Sequence, residues 1–337
     1  MVSNRVVVWF PPQLDAVAMR LGRADELEYE LGQVALNWSR RALELKQVQS
    51  PGDPEMVDAV VGSIRPIPPT AAMLFSEAIH HLRAALDNVV YHLVTTARGA
   101  ALSDAEARRV AMPIYQDAKK FHEWVKGVAK SVPELGPLTD LHQRIESLQP
   151  FASSAGVPSI SPKLAAFTAT PVENIHALVL LQGYSNEDKH REIRLALGRT
   201  VLQRSDVPFP KTDLTMRPIE VGDVWSSTRL GEPVLLEANT AVVVERPITG
   251  TSVAPVPELG HLHTYVSAVA IPTLLIGSAY AEPPLPHEVD LADNGETPAE
   301  RVANGGAIPA HARSAAMVLQ CLSEPGSAAI SVLTTED

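Results

Sequence analysis

The chain has 337 residues, of which 45% are hydrophobic and 20% are charged, and its formal net charge is −11. This composition is typical of a globular protein with a sizeable core, and it excludes a disordered or fibrous chain. Residues 1–200 hold 21 Lys and Arg against 22 Asp and Glu, whereas residues 201–337 hold 7 against 17. Because an acidic surface repels phosphate backbones, a broad nucleic-acid groove is disfavoured in the C-terminal part.

The N-terminal elements alternate between strand and helix. The first apolar run stops at Pro11 and Pro12, short of the length of a signal peptide, and we expect an opening strand there. Residues 15–49 predict a long amphipathic helix with apolar residues at three- and four-residue steps. Residues 56–67 are rich in β-branched side chains and end in prolines, which predicts a strand or an extended connector.

The longest helical pattern covers residues 71–98, and its apolar residues fall on one face. The polar residues form two rows on the other side, the first with His80, Arg83 and Asp87 and the second with Asn88. Arg83 and Asp87 are four residues apart, so an ion pair can fix the guanidinium for recognition of a phosphate or a carboxylate. The alternative is an ordinary surface ion pair.

The middle of the chain predicts shorter helices. A capping-box pattern begins at Ser103, and further helical patterns cover 117–130, 134–148 and 172–184. Residues 149–171 are rich in Pro, Ser and Ala, which predicts a long surface loop acting as a mobile lid or a boundary.

A second polar cluster, Ser-Asn-Glu-Asp-Lys-His-Arg-Glu, occupies residues 185–192. It includes Asp188, His190 and Arg191 at a predicted transition from helix to strand, where functional groups often lie. We expect one fold to bring this cluster to the polar side of the 71–98 helix.

The sequence after this cluster predicts mostly strands. Alternation begins at 192, and short β-rich runs continue to 247 without helices for parallel crossovers, so we expect an antiparallel meander. We predict a buried strand and turn at 259–281, a Pro/Gly-rich linker at 282–309 and a last helix at 311–322. The expected fold class is therefore α+β, with a helical bundle at 1–191 followed by a mostly antiparallel β region at 192–337.

Several kinds of site are not expected. Cys321 is the single cysteine, which fits a reducing, cytoplasmic setting and excludes an internal disulfide. The histidines are scattered, so the sequence indicates no metal and no cofactor. Phosphate-loop, dinucleotide, zinc-protease and nucleophile-elbow motifs are absent. The uncharged run 259–281 is marginal for a membrane span, because His261, His263 and Pro272 interrupt it, and a buried strand and turn is favoured there.

The segments EAIHHLRAALDNVVYHLV and SNEDKHREI resemble two hallmark blocks of uncharacterised bacterial proteins, common in actinobacteria, with an LRxxLDH-like helix and a DKHR-like block. That group is similar to HEPN-type helical domains, many of which are metal-independent endoribonucleases of toxin and defence systems. In HEPN nucleases a histidine handles a proton and an arginine five to seven residues earlier steadies the phosphate, usually across a dimer. Arg83 matches the arginine and Asp87 the aspartate of the group, but Asn88 stands where a histidine is expected, and asparagine cannot transfer a proton near neutral pH.

Three functional hypotheses follow from the resemblance and its departure. The first is a HEPN-like module, catalytically weakened or inactive, that binds a phosphate-bearing ligand, such as RNA or a nucleotide, or a partner. Its binding residues would be Asp87, Asn88, Asp188 and Arg191. The second is an active endoribonuclease in which His80 or His190 takes the missing role beside Arg83. The third is a structural or assembly protein, and the resemblance also implies a homo-oligomer.

Overall fold

The computed structural model describes residues 7–168, 170–190, 193, 195–208, 211, 219–232, 234 and 236–315, without the side chains of 167–168, 190, 199–203 and 237–239. It shows a mixed α+β protein with 48% helix and 16% strand. The predicted α+β class is confirmed, and helix predominates over strand.

The helices are α1 (Asp15–Ser39), α2 (Pro69–Arg98), α3 (Asp104–Ala107), α4 (Ala118–Val128), α5 (Asp140–Ser147), α6 (Pro162–Thr168), α7 (Ala177–His190), α8 (Pro255–Thr264), α9 (Ile271–Ile276) and α10 (Pro298–Ala303). The strands are β1 (Leu43–Gln49), β2 (Met56–Ile64), β3 (Gly156–Pro158), β4 (Asn174–His176), β5 (Leu195–Arg204), β6 (Val224–Arg229), β7 (Leu236–Glu245) and β8 (Ser252–Val253).

Three small antiparallel sheets accompany the helices. Their strand orders are β1-β2-β6, β3-β4 and β5-β7-β8. The antiparallel pairing expected of the C-terminal strands is confirmed. The expected meander is wrong, because β5 pairs with β7 while β6 pairs with β2 of the N-terminal part. Three helices, α8, α9 and α10, also lie in the part expected to be mostly β.

One large hydrophobic core lies around α1 and α2. The apolar face predicted for α2 is buried, and α1, α7, α8 and α9 pack against this helix. The core also takes residues from segments far along the chain, such as Leu262, Leu274 and Val302. The two parts predicted from the sequence, 1–191 and 192–337, thus share a core.

The prediction of a helix from 15 to 49 is wrong at its end, because α1 stops at Ser39 and β1 begins at Leu43. Ala42 and Leu45 continue the helical spacing, but Leu43 and Leu45 also alternate with the exposed Glu44 and Lys46, and that two-residue period is realised. Pairing with β2 supplies the hydrogen bonds that favour the strand.

The predicted strand and turn at 259–281 is also wrong, since residues 255–276 form a helix from α8 through a π-helical turn to α9. Its buried residues, such as Leu259, Leu262 and Val266, recur at helical steps. Pro272 does not end the helix because it follows the wide turn Tyr265–Ala270, where the hydrogen-bond pattern is already irregular.

Among the described residues, this 22-residue helix is long and apolar enough to cross a membrane. Core helices of globular proteins pass the same test, and half of its most apolar window is buried inside the protein. The helix also carries the buried polar residues Glu258 and His263, and it packs against α1 and α2.

Two segments predicted to be irregular have defined structure, and the described part of the expected opening strand is not a strand. Within 149–171, β3 pairs with β4 and α6 follows, so the surface-loop prediction is wrong in part. The supposed linker 282–309 contains α10 and folds back on α1. The opening strand falls partly on 1–6, outside the described residues, and 7–10 form a turn. Of the last predicted helix, 311–315 are helical and the remainder lies outside the described residues.

Candidate functional site

Arg83 and Asp87 hold the backbone of Met112. The Nη2 of Arg83 donates a hydrogen bond to the carbonyl oxygen of Met112 at 2.7 Å, and the N–H of Met112 donates to Oδ1 of Asp87 at 2.8 Å. The predicted ion pair is also present, with 3.3 Å between Arg83 Nη2 and Asp87 Oδ1. The pair therefore joins α2 to the segment after α3 by satisfying both polar groups of one residue.

The environment of Arg83 is mostly buried, since 14% of its side chain is exposed. Burial lowers the pKa of Arg83, and the neighbouring Asp87 acts in the opposite direction. The Nη1 atom is buried and has no hydrogen-bond partner among the described residues. The guanidinium is thus packed into the protein rather than presented on a flat surface.

The other predicted residues of α2 have different surroundings. His80 and Asn88 are exposed. His92, on the same row as Asn88, is partly buried, and burial lowers its pKa. Asn88 and Arg83 therefore have different environments, and the Asn88 amide does not transfer a proton near neutral pH.

Asp188 of the second cluster contacts α2 at Ser76, which is not one of the polar residues of the first cluster. The hydroxyl of Ser76 on α2 donates a hydrogen bond to Oδ1 of Asp188 on α7, and α2 and α7 pack together. Ser76 is seven residues before Arg83 and therefore lies on the same side of the helix about 10 Å away. The side chain of His190 and the whole of Arg191 and Glu192 lie outside the described residues.

A third polar cluster, which the sequence does not predict, contains Asp25, His263 and His287. One ligand atom from each of these residues lies within 4.8 Å of the others. Asp25 is on α1 and 1% exposed, His263 is on α8 and 3% exposed, and His287 follows the cis Glu282–Pro283 bond in the segment that returns to α1. The three residues come from three separate elements of the fold.

Both carboxylate oxygens of Asp25 have hydrogen-bond or ion-pair partners. Its Oδ1 lies 3.2 Å from Nδ1 of His287 and 3.0 Å from the N–H of Ala310, while Oδ2 pairs with Nη2 of Arg313. Burial opposes ionisation, but the hydrogen bonds from His287 and Ala310 outweigh it, so the pKa of Asp25 is lowered. Asp25 is therefore a carboxylate at neutral pH.

His263 has a defined tautomer. Its Nε2 lies 3.0 Å from the carbonyl oxygen of Leu21, which can only accept, so Nε2 carries the proton and Nδ1 carries the lone pair. Burial lowers the pKa of His263 to about 4, so the ring is neutral at pH 7. A neutral imidazole whose other nitrogen donates to a backbone carbonyl has the arrangement found in metal-binding histidines.

Glu28 lies one turn beyond Asp25 on α1 and is 2% exposed. Burial and the nearby Asp25 raise its pKa to about 8. Its Oε1 has no hydrogen-bond partner among the described residues. A Cβ at Gly260 of α8 would approach that oxygen to 2.9 Å, so a glycine at 260 leaves room for the carboxyl group.

A groove of about 420 Å³ opens beside this third cluster. Arg313 and Glu288, which pair with each other, line it together with Glu26, Asp290 and Glu296. Gly22 permits the segment at Val289 to approach α1, because a Cβ there would lie 2.8 Å from a methyl group of Val289. Arg301 also lines the groove, so four acidic and two basic residues face it, and Asp25, His263 and His287 are not among its lining residues.

Comparison of the chain with protein-family models, with curated proteins and with solved structures gives no match. Sequence reasoning missed Asp25, His263 and His287 because no two of them are close enough in the chain to form a recognisable ligand spacing.

Proposed function

We propose that this protein is a HEPN-like helical module that binds a phosphate-bearing ligand and does not cleave RNA. The observation that supports it best is the use of Arg83 and Asp87 to hold both backbone polar groups of Met112. In the nucleases that the chain resembles, the corresponding arginine is available to the phosphate. Here its Nη2 is engaged by the protein itself.

The replacement of the expected histidine supports the absence of cleavage. Asn88 is exposed and can hydrogen-bond a ligand, but its amide does not accept and release a proton near neutral pH. General acid–base catalysis typically contributes about 10²–10⁴-fold to a rate, so its loss leaves little catalysis even where a ligand binds.

The proposed ligand surface is the exposed border between α2 and α7. Asp188 joins the helices through Ser76, and His80 and Lys189 are exposed on the two helices. Lys189 supplies a full positive charge, and His80 supplies a hydrogen-bond donor for phosphate oxygens. We include His190 and Arg191 among the proposed ligand-binding residues because they follow Lys189 directly in the 185–192 block.

A binding titration tests this function. We expect inorganic phosphate, AMP or a short single-stranded RNA to bind the wild-type protein at low salt in isothermal titration calorimetry. The double variant His80→Ala/Lys189→Ala should bind at least about tenfold more weakly, since a charge-assisted contact is worth roughly 1.5–3 kcal/mol. Lys126→Ala, which removes an exposed lysine of α4, is the matched control and should bind as the wild type does.

Two results would overturn the proposal. If none of the three probes binds the wild-type protein, the protein does not bind a phosphate-bearing ligand as proposed. If the double variant binds as tightly as the wild type, the ligand does not bind at the border between α2 and α7. HEPN-type domains usually act in pairs, so the proposal includes a homo-oligomer, which light scattering of the same samples would detect.

A further inference from the structure

We infer that Asp25, His263 and His287 form a binding site for a divalent first-row transition metal, with zinc as the best-fitting ion. The site uses residues that the proposed phosphate surface does not use, and its test is independent of that proposal.

The donor set suits such an ion. Two imidazoles and one carboxylate bind zinc in many catalytic centres, where a fourth position stays open for water. The same set with open positions also holds iron(II). Calcium and magnesium prefer oxygen ligands, so the two histidines disfavour them.

The spacing is close to that of a bound centre. Ligand atoms about 2.1 Å from a tetrahedral zinc lie about 3.4 Å from one another. His287 Nδ1 and Asp25 Oδ1 are already 3.2 Å apart, and one possible ligand atom from each of the three residues lies within 4.8 Å of the others. A side-chain rotation that closes the widest gap by about 1.4 Å would complete the geometry.

The groups around the site orient two of the ligands. Nε2–H of His263 donates a hydrogen bond to the carbonyl oxygen of Leu21, so the lone pair on Nδ1 is left for the metal. Arg313 holds Oδ2 of Asp25, so Oδ1 remains on the side of His287. Partners of this kind fix the tautomer and rotamer of metal ligands and are a regular part of such centres.

A buried carboxyl oxygen of Glu28, near Asp25 on α1, lacks a hydrogen-bond partner among the described residues. This oxygen, Oε1, faces Gly260, one turn before His263, just as Glu28 lies one turn after Asp25. A buried carboxyl oxygen without a partner is costly. Solvent reaches the cluster at His287, of which 22% of the side chain is exposed.

Calorimetric titration with Zn²⁺ tests this inference. The full-length protein is treated with EDTA, desalted and titrated, and the absorption spectrum of the Co²⁺-loaded protein reports the ligand geometry. We expect about one equivalent to bind the wild-type protein. His287→Ala should weaken binding by more than about 100-fold, because loss of an outer partner alone costs 10–100-fold.

His287 is the appropriate position for substitution because 22% of its side chain is exposed, whereas His263 is fully enclosed and its loss endangers folding. Circular dichroism checks that His287→Ala is folded. His261→Ala is the matched control, since His261 is exposed on α8 two residues from His263. It should bind zinc as tightly as the wild type.

The inference is overturned by absence of zinc binding to the wild-type protein, or by tight binding to folded His287→Ala. Equal loss in His261→Ala would place the ion elsewhere and would overturn it as well. Asp25→Asn provides a second variant that keeps the shape of the ligand and removes its charge, and it should also lose the ion.

Discussion

Arg246 and Glu258 form a bidentate ion pair in the interior of the protein. Nε and Nη2 of Arg246 lie 3.0 and 2.8 Å from the two carboxylate oxygens of Glu258, and the two side chains are 0% and 1% exposed. Tyr184 donates a further hydrogen bond to Glu258, and Arg246 also reaches Glu173 and the carbonyl of Val157. This network fastens α8, α7 and the segment of β3 to the end of β7.

We predict that Glu258→Gln lowers the free energy of unfolding by about 3–5 kcal/mol, because it leaves the Arg246 charge buried without its main counter-charge. Urea denaturation measures the change. Asp206→Asn removes the partner of the more exposed Arg204 and should cost no more than about 1 kcal/mol. Equal effects of the two substitutions would refute the structural role of the buried pair.

A second prediction concerns Arg83 and Asp87. Each of Arg83→Ala and Asp87→Ala should lower the free energy of unfolding by roughly 2 kcal/mol, since each removes a hydrogen bond between a charged group and Met112. The double variant should lose clearly less than the sum, because both side chains hold the same residue.

The corresponding cycle at Arg23 and Glu30, a partly exposed ion pair of α1, should be nearly additive. Denaturation curves of the four variants and the two doubles give both coupling energies. Additive losses at Arg83 and Asp87 would show that the two side chains act independently, contrary to the geometry.

A third prediction concerns acid stability. His176 accepts a hydrogen bond from the N–H of Leu178 at the start of α7, and burial lowers its pKa to about 4 from an ordinary value of 6.5. Between these pH values the unfolded chain binds more protons than the folded one, so stability falls as pH decreases from 6.5 to about 4. The loss from this group is at most about 3 kcal/mol.

His176→Asn keeps an acceptor for Leu178 without titrating in this range, so the variant should lose less stability between pH 6.5 and 4 than the wild type does. His263 contributes in the same direction in both proteins, since its pKa is also lowered. His80→Asn, at an exposed position, is the control and should retain the wild-type acid sensitivity. An unchanged pH dependence in His176→Asn would contradict the burial argument.

The sequence predicts α2 well because thirty residues of consistent helical spacing leave no competing period, and the capping box at Ser103 is present. It fails where a short stretch fits two periods, as at Leu43 and Leu45, or where β-branched residues and a proline occur inside a buried helix, as before Pro272. Tertiary packing determines whether those segments become helix or strand, and a local sequence pattern carries no information about that packing.

In the candidate sites, too, the sequence predicts local contacts but not contacts between distant segments. The ion pair between Arg83 and Asp87 follows from helical spacing, but its contact with Met112 requires the path of the chain after α3. Asp25 meets His263 and His287 only because α8 and the segment after it return to α1. Nothing in the spacing of these residues indicates the meeting.

Incubation of the purified protein with single-stranded RNA in EDTA tests most directly whether the site between α2 and α7 binds without cutting. Under conditions where RNA binds, the account predicts that the RNA stays intact with the wild-type protein, as it does with Arg83→Ala and His80→Ala. Cleavage by the wild-type protein that disappears in folded Arg83→Ala and His80→Ala would contradict it and would establish a metal-independent endoribonuclease.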